Sequence, residues 1–183
     1  MAWKDVEYEA AAVSGARIER FLTQVRSSHA NGGAILASFA PKHPPDIHHA
    51  DLQDIPFWER PFRIFLGSPS VRRQLPELHL EETDQLKLKL QFMRVFEMEG
   101  SLVHVLVEGG AYSPWPAMSL PQAREVSQGF VEELFGDRYS KVMTAQILGA
   151  WSPWFHDVAW DHTFLMDDEE MKRMWILCIT DSD

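Results

Sequence analysis

The stretch Met174-Trp175-Ile176-Leu177-Cys178-Ile179 is apolar on both of the faces that a β-strand presents. Successive strand side chains point to opposite sides. Met174, Ile176 and Cys178 would therefore form one apolar row, and Trp175, Leu177 and Ile179 the other. Neither row can be left in water, so residues 173–180 have to lie inside a sheet that is covered on both sides. This requirement limits the chain to a layered fold organised around its last strand. The hairpin partner is His162-Thr163-Phe164-Leu165-Met166, joined through the acidic run Asp167-Asp168-Glu169-Glu170.

Two segments carry helical periodicity. Ile18, Phe21, Leu22 and Val25 recur at i, i+3, i+4 and i+7 after Ser14, a candidate cap, and Asn31-Gly32-Gly33 stops the run. The spacing predicts a helix over about 15–30. A second helix is expected over about 120–135, where Ala123, Val126, Phe130 and Leu134 form the stripe. Ser119 and Gln122 fit a capping box, Pro121 sits in the first turn, and Gly136 ends the helix. Residues 34–39, 62–66 and 139–148 read as strands, and Ser68-Pro69 opens a short helix that ends before Pro76. Leu86, Leu88, Leu90 and Phe92 alternate with Lys87, Lys89 and Gln91. That strand is expected to continue to Phe96, turn at Glu99-Gly100-Ser101 and return over 102–107. Residues 41–61 hold five of the eleven prolines and are expected to be irregular. The whole, residues 1–183, reads as a single α+β domain: a mostly antiparallel sheet, two main helices packed on it, and a C-terminal hairpin whose last strand is central.

Charge narrows the classes of partner. The formal net charge is −10, and it is unevenly placed: residues 1–91 hold 11 basic and 12 acidic side chains, residues 92–183 hold 6 and 15. Such a field repels phosphate backbones and anionic lipid and attracts basic proteins. Acidity that only maintains solubility is the competing reading. No apolar run reaches the length of a bilayer span, and the N-terminus MAWKDVEYEA lacks the basic start and apolar middle of a signal peptide. The single cysteine, Cys178, stands in an apolar setting that disfavours its thiolate. A soluble protein of a reducing, cytoplasmic compartment is expected.

Three sets of residues could carry function. The hexapeptide Gly110-Ala111-Tyr112-Ser113-Pro114-Trp115 recurs as Gly149-Ala150-Trp151-Ser152-Pro153-Trp154. Both copies are expected to follow strands, holding aromatic side chains in matched positions. Convergent turn chemistry is the alternative. With Trp160, the tryptophans Trp115, Trp151 and Trp154 are candidates for contact with a partner or ligand, because tryptophan supplies large contact area at small entropy cost. Second, His48, His49 and Asp51 in the proline-rich segment are of the types that bind zinc or iron, although solvated loop histidines are the commoner case. Third is the run Phe155-His156-Asp157-Val158-Ala159-Trp160-Asp161-His162. In a strand its two histidines lie roughly 20 Å apart, too far for one metal. In a helical turn Asp157 and Asp161 would pair as carboxylates for acid/base work or contact a partner, and as structural groups they would simply hydrogen-bond a strand end.

No phosphate loop, nucleophile elbow, HExxH helix or EF-hand loop is present. Two leading functional classes remain, beside a pocket for an aromatic or cationic small molecule lined by Trp115, Trp151 and Trp154. One is a non-catalytic, acidic protein-binding module, similar in size and charge to inhibitor or immunity proteins, with a basic protein as partner. The other is a small metal-assisted hydrolase using the His48/His49/Asp51 cluster, with His156 or Asp161 brought in from across the fold. The cofactor requirement and oligomeric state are not written in the sequence.

Overall fold

In a computed structural model, residues 6–43, 55–80 and 88–183 are described. Six strands form one antiparallel sheet: β1 (Tyr8–Ala11), β2 (Gly33–Pro41), β3 (Leu90–Met93), β4 (Val142–Ile147), β5 (His162–Asp168) and β6 (Arg173–Thr180). Their spatial order is β1-β2-β6-β5-β4-β3, which puts the β5–β6 hairpin in the middle. Five helices pack on the sheet: α1 (Ala16–Ser28), α2 (Arg60–Gly67), α3 (Pro69–Gln74), α4 (Val95–Glu108) and α5 (Leu120–Phe135). The class is α+β, with the last strand central.

β6 divides its side chains between two cores, as its double apolar face requires. Trp175, Leu177 and Ile179 join Phe164 and Met166 of β5 beneath α1, α4 and α5. Met174, Ile176 and Cys178 join Leu165, Phe39 and Tyr8 on the other side, where α2 and α3 supply Phe62, Phe65, Leu66 and Val71. Ring contacts tie each core together. Phe21 of α1 stacks on Phe130 of α5 at 4.3 Å, and Phe65 meets both Tyr8 and Phe39 edge-on.

Two expected strands are helices. The run 95–107 does not return as a strand: Val95, Met98, Leu102, Val105 and Leu106 are all buried on one side of α4. Their spacing is helical, but the valines and leucines interleaved at 102–107 imitate a strand's alternation. Only Leu90–Met93 of the expected hairpin is a strand in the described part. Residues 62–66 are likewise helical, in α2, because all of Phe62, Ile64, Phe65 and Leu66 are buried and no periodicity separates the two possibilities.

Helix capping also differs in detail. The N-cap of α1 is Gly15, not Ser14. The Glu133 carboxylate of α5 accepts from the backbone N–H groups of Arg17 and Ile18, each at 2.7 Å. A carboxylate at a helix N-terminus satisfies orphan donors and suits the dipole, and a side chain at Gly15 would strike it. The Ser119 hydroxyl donates to Gln122 Oε1 at 2.6 Å rather than accepting from the backbone.

The acidic hairpin tip is only half a solvated one. Asp168 is fully buried, where it accepts from Arg138 Nη2 at 3.0 Å and from the Met171 N–H at 3.0 Å. Asp167 is mostly buried too, and burial pushes its carboxyl up to about 6. Glu169 and Glu170 are exposed.

Two outcomes are expected. Deleting residues 172–183 removes the strand shared by both cores, so the truncated chain should give no cooperative melting transition. For Asp167, the folded carboxyl titrates above its ordinary value near 3.8, so the folded state favours the proton and stability falls as pH rises through about 6. Asp167→Asn should therefore stabilise the protein by about 1–2 kcal/mol at pH 7.5, after allowance for its residual exposure, and have little effect at pH 4. Thermal melts at the two pH values check this.

Candidate functional site

Strand register gathers most of the candidates at one end of the sheet. β4 ends at Ile147, opposite Thr163, and β6 ends at Thr180, opposite Gly33. The chain therefore leaves β4, enters β5, leaves β6 and enters β2 at the same end. The C-terminus of α4 arrives there as well, since the backbone just after it binds Asp181.

The two hexapeptides meet this end on opposite faces and in different conformations. The second follows β4, as expected, but the first follows α4. Gly149 takes φ +77°, whereas in the first copy it is the preceding residue, Gly109, that takes a positive φ, +67°. Trp151 is 9% exposed, and its indole N–H donates to Thr163 Oγ1 at 2.8 Å. Trp154 is half-buried and packs edge-on against Phe155 at 5.1 Å within the core beneath α2 and α3. Their counterparts in the first copy, Tyr112 and Trp115, are 69% and 74% exposed. The matched sequence thus anchors one aromatic pair and displays the other. Trp160 is partly exposed in the loop before β5.

The displaying loop is held by Asp181, just beyond the end of β6. Asp181 is fully buried. Its Oδ1 accepts from the Asn31 N–H at 2.8 Å, and its Oδ2 accepts from the Ala111 N–H at 2.8 Å. The Asn31 side chain donates to the Ser182 carbonyl at 2.9 Å. The Ser113 hydroxyl adds a second tie, donating to the Ser28 carbonyl at 2.8 Å and receiving the Gly110 N–H at 3.2 Å. Behind it the Ala117 N–H donates to the Val107 carbonyl at 2.8 Å. One carboxylate thus joins the α1–β2 turn, the end of β6 and the aromatic loop. Gly110 has to lack a Cβ, because one there would collide with the Asp181 carboxylate and the Ser28 carbonyl. No pattern of spacing in the sequence singles out Asp181.

Asp161 plays a comparable part in the loop after the second hexapeptide. Its Oδ2 accepts from the N–H groups of His156 and Val158, at 3.0 and 3.1 Å, and its Oδ1 accepts from the Thr180 hydroxyl at 2.5 Å. Asp157 is exposed with φ +58°. The 155–161 segment is neither a strand nor a helix, so the Asp157/Asp161 carboxylate pair of a helical turn does not form. His156 is exposed, while His162 begins β5 with its ring stacked parallel to Phe164 at 6.4 Å. Burial pushes His162 down to about 4.

His48, His49 and Asp51 lie outside the described residues. Pro41, at the end of β2, is at the far end of the sheet from Asp161, because Phe39 pairs with Met174 at the start of β6. Among the described residues, no group of three or more His, Cys, Asp or Glu side chains is arranged to hold a metal ion. A cleft of about 260 Å³ between α1 and α5 is lined by the ion pairs Arg17–Glu132 and Arg20–Glu125, each at 2.7 Å. Among the same residues, no helix is long and apolar enough to cross a membrane. No protein-family profile matches the chain, and no curated protein is recognisably similar to it.

The loop's support and its display are separable. Gly110→Ala should destabilise the fold by about 1–3 kcal/mol through overpacking against Asp181. Trp115→Ala, at an exposed site, should change stability by under about 0.5 kcal/mol. Urea denaturation of the two variants tests the contrast.

Proposed function

We propose that this chain is a non-catalytic protein-binding module, acting as a single α+β domain, that presents Tyr112 and Trp115 to a basic protein partner. The observation that supports this reading best is the pairing of display with rigidity. Two large aromatic side chains stand in solvent on a loop fixed by the buried Asp181 carboxylate and the Ser113–Ser28 bond. A loop backbone already held in place loses little freedom on binding, and large aromatic side chains dominate interface energetics. The surplus of acidic residues in 92–183 would speed encounter with a cationic surface and make association salt-sensitive. Trp151 and Trp154, among the candidates for contact, serve here as the anchored counterparts, and Trp160 and Asp157 remain accessible at the same end. A cytoplasmic location is part of the proposal, resting on the reduced, buried Cys178.

The test is comparative capture from host lysate at low salt with the parent chain and a Tyr112→Ala/Trp115→Ala variant. A stoichiometric basic protein retained by the parent, lost by the variant and released by about 0.5 M salt is the expected result. Equal recovery on both chains, or no stoichiometric protein on either, would remove the proposal.

A further inference from the structure

The sheet ends differently on its two sides. In an antiparallel pair, alternate residues turn their N–H and C=O groups toward the neighbouring strand, and the residues between turn theirs away. At the β1 edge the outward groups are taken by side chains of α3 and its cap. The Ser68 hydroxyl donates to the Val6 carbonyl at 2.7 Å, and the Tyr8 N–H donates to Ser70 Oγ at 2.8 Å. The Gln74 side chain accepts from the Ala10 N–H at 2.9 Å and donates to the Tyr8 carbonyl at 3.1 Å. β3, at the opposite edge, is closed only at its ends. The Leu148 N–H donates to the Lys89 carbonyl at 3.0 Å, so the backbone groups of Lys89, Gln91 and Met93 face β4. Those of Leu88, Leu90, Phe92 and Arg94 face away. Arg63 Nη2 donates to the Leu88 carbonyl at 3.3 Å, and the Glu97 carboxylate accepts from the Arg94 N–H at 2.5 Å. Between these two closures, the N–H and C=O groups of Leu90 and Phe92 have no partner among the described residues.

The surroundings of this window have a definite chemistry. Phe92 is 39% exposed and meets the half-buried Trp58 edge-on at 6.0 Å, beside the half-buried Leu90. The Arg94 guanidinium lies over the Phe92 ring at 5.3 Å. Lys89 and Arg94 are both exposed, and neither forms an ion pair among the described residues. Two cations thus bracket the window in a chain whose net charge is −10. We propose that the β3 edge takes an added strand, an extended acidic segment of a partner protein running antiparallel to it. Its carboxylates lie opposite Arg94 and Lys89, and its apolar side chains lie opposite Phe92 and Leu90. Backbone bonds to Leu90 and Phe92 supply the attachment, and the flanking side chains supply the selection. A second copy of this chain is the poorer occupant. Two β3 strands paired about Gln91 would bring Lys89 of each copy beside Arg94 of the other, and like charges across a strand pair are destabilising. The site is separate from the Tyr112 and Trp115 loop, and neither reading depends on the other.

The test is an amide chemical-shift titration of the isotope-labelled full chain with the peptide Ac-Asp-Thr-Val-Thr-Val-Glu-amide. Paired antiparallel, its Asp stands opposite Arg94, its valines opposite Phe92 and Leu90, and its Glu opposite Lys89. Saturable shifts centred on the Leu90 and Phe92 amides are expected, with those of Tyr8 and Ala10 unmoved. N-methylation of both valines removes the donors that the Phe92 and Leu90 carbonyls need, and it should abolish binding. Replacing both acids of the peptide by lysine should weaken binding about tenfold. Lys89→Glu/Arg94→Glu, at two exposed positions, should reverse the preference between the acidic and the lysine peptide. Absence of shifts at Leu90 and Phe92 would overturn the proposal, as would equal binding of the N-methylated or the lysine peptide. Slow hydrogen exchange of these two amides in the free chain would overturn it too, because a second copy or another segment would then already hold the edge.

Discussion

The burial of β6 on both faces is the constraint on which the rest of the structure depends. Because its odd-numbered and even-numbered side chains feed different cores, it fixes which elements lie on which side. α1, α4 and α5 meet the Trp175, Leu177 and Ile179 row, and α2 and α3 meet the Met174, Ile176 and Cys178 row. A shift of one residue against β2 or β5 would exchange these rows and leave neither helical layer with its partner. Register here is therefore specified from both sides at once. The chain uses that certainty to place Thr180 and Asp181 at a defined point beyond the strand, where a buried carboxylate can serve backbone donors from two distant segments.

Asp181 illustrates how an isolated charge becomes tolerable in a protein interior. Burying a carboxylate is costly unless its oxygens are satisfied, and here each oxygen receives a backbone N–H. Carboxylates gather donors at three further places, of which only Asp168 is fully buried. Asp161 accepts two backbone amides and a hydroxyl, Asp168 accepts an arginine and a backbone amide, and Glu133 accepts two amides at the start of α1. Several acidic residues of the second half are thus structural connectors, and the field presented to a partner comes from the others, such as Glu169, Glu170 and Asp157. Formal charge overstates what a partner meets.

The double apolar row of β6 and the helical stripes of α1 and α5 were legible in the sequence because each places its apolar residues at a period that only one element type can use. The failures have physical reasons of the same kind. In α4 the valines at 103, 105 and 107 fall on alternate positions, so a strand's pattern lies over a helical one. In α2 burial on all sides erases the period. β1 is four residues long, and its one buried residue, Tyr8, gives no pattern at all. The candidate site was half legible. The shared sequence of the two Ser-Pro-Trp hexapeptides prompted their comparison, and the two copies lie at the same end of the sheet. Its two copies differ in burial because one rests on the core beneath α2 and α3 and the other projects from α4, a distinction set by the surroundings rather than by the six residues. The buried role of Asp181 depends on contacts from residues far away in sequence, which no local pattern records.

That distance has a kinetic meaning. Asn31 and Asp181 are 150 residues apart, and β6 joins β2 across a similar span. Contacts this remote require the chain to surrender the entropy of a long loop before any pairing energy is returned, and folds dominated by them form slowly. Before β6 inserts, β2 and β5 each present an unpaired edge, the kind of surface on which chains pair with one another instead of with themselves. The element that makes the native sheet so well defined is therefore also the one whose absence, for as long as it lasts, leaves the nascent structure most exposed to misassembly.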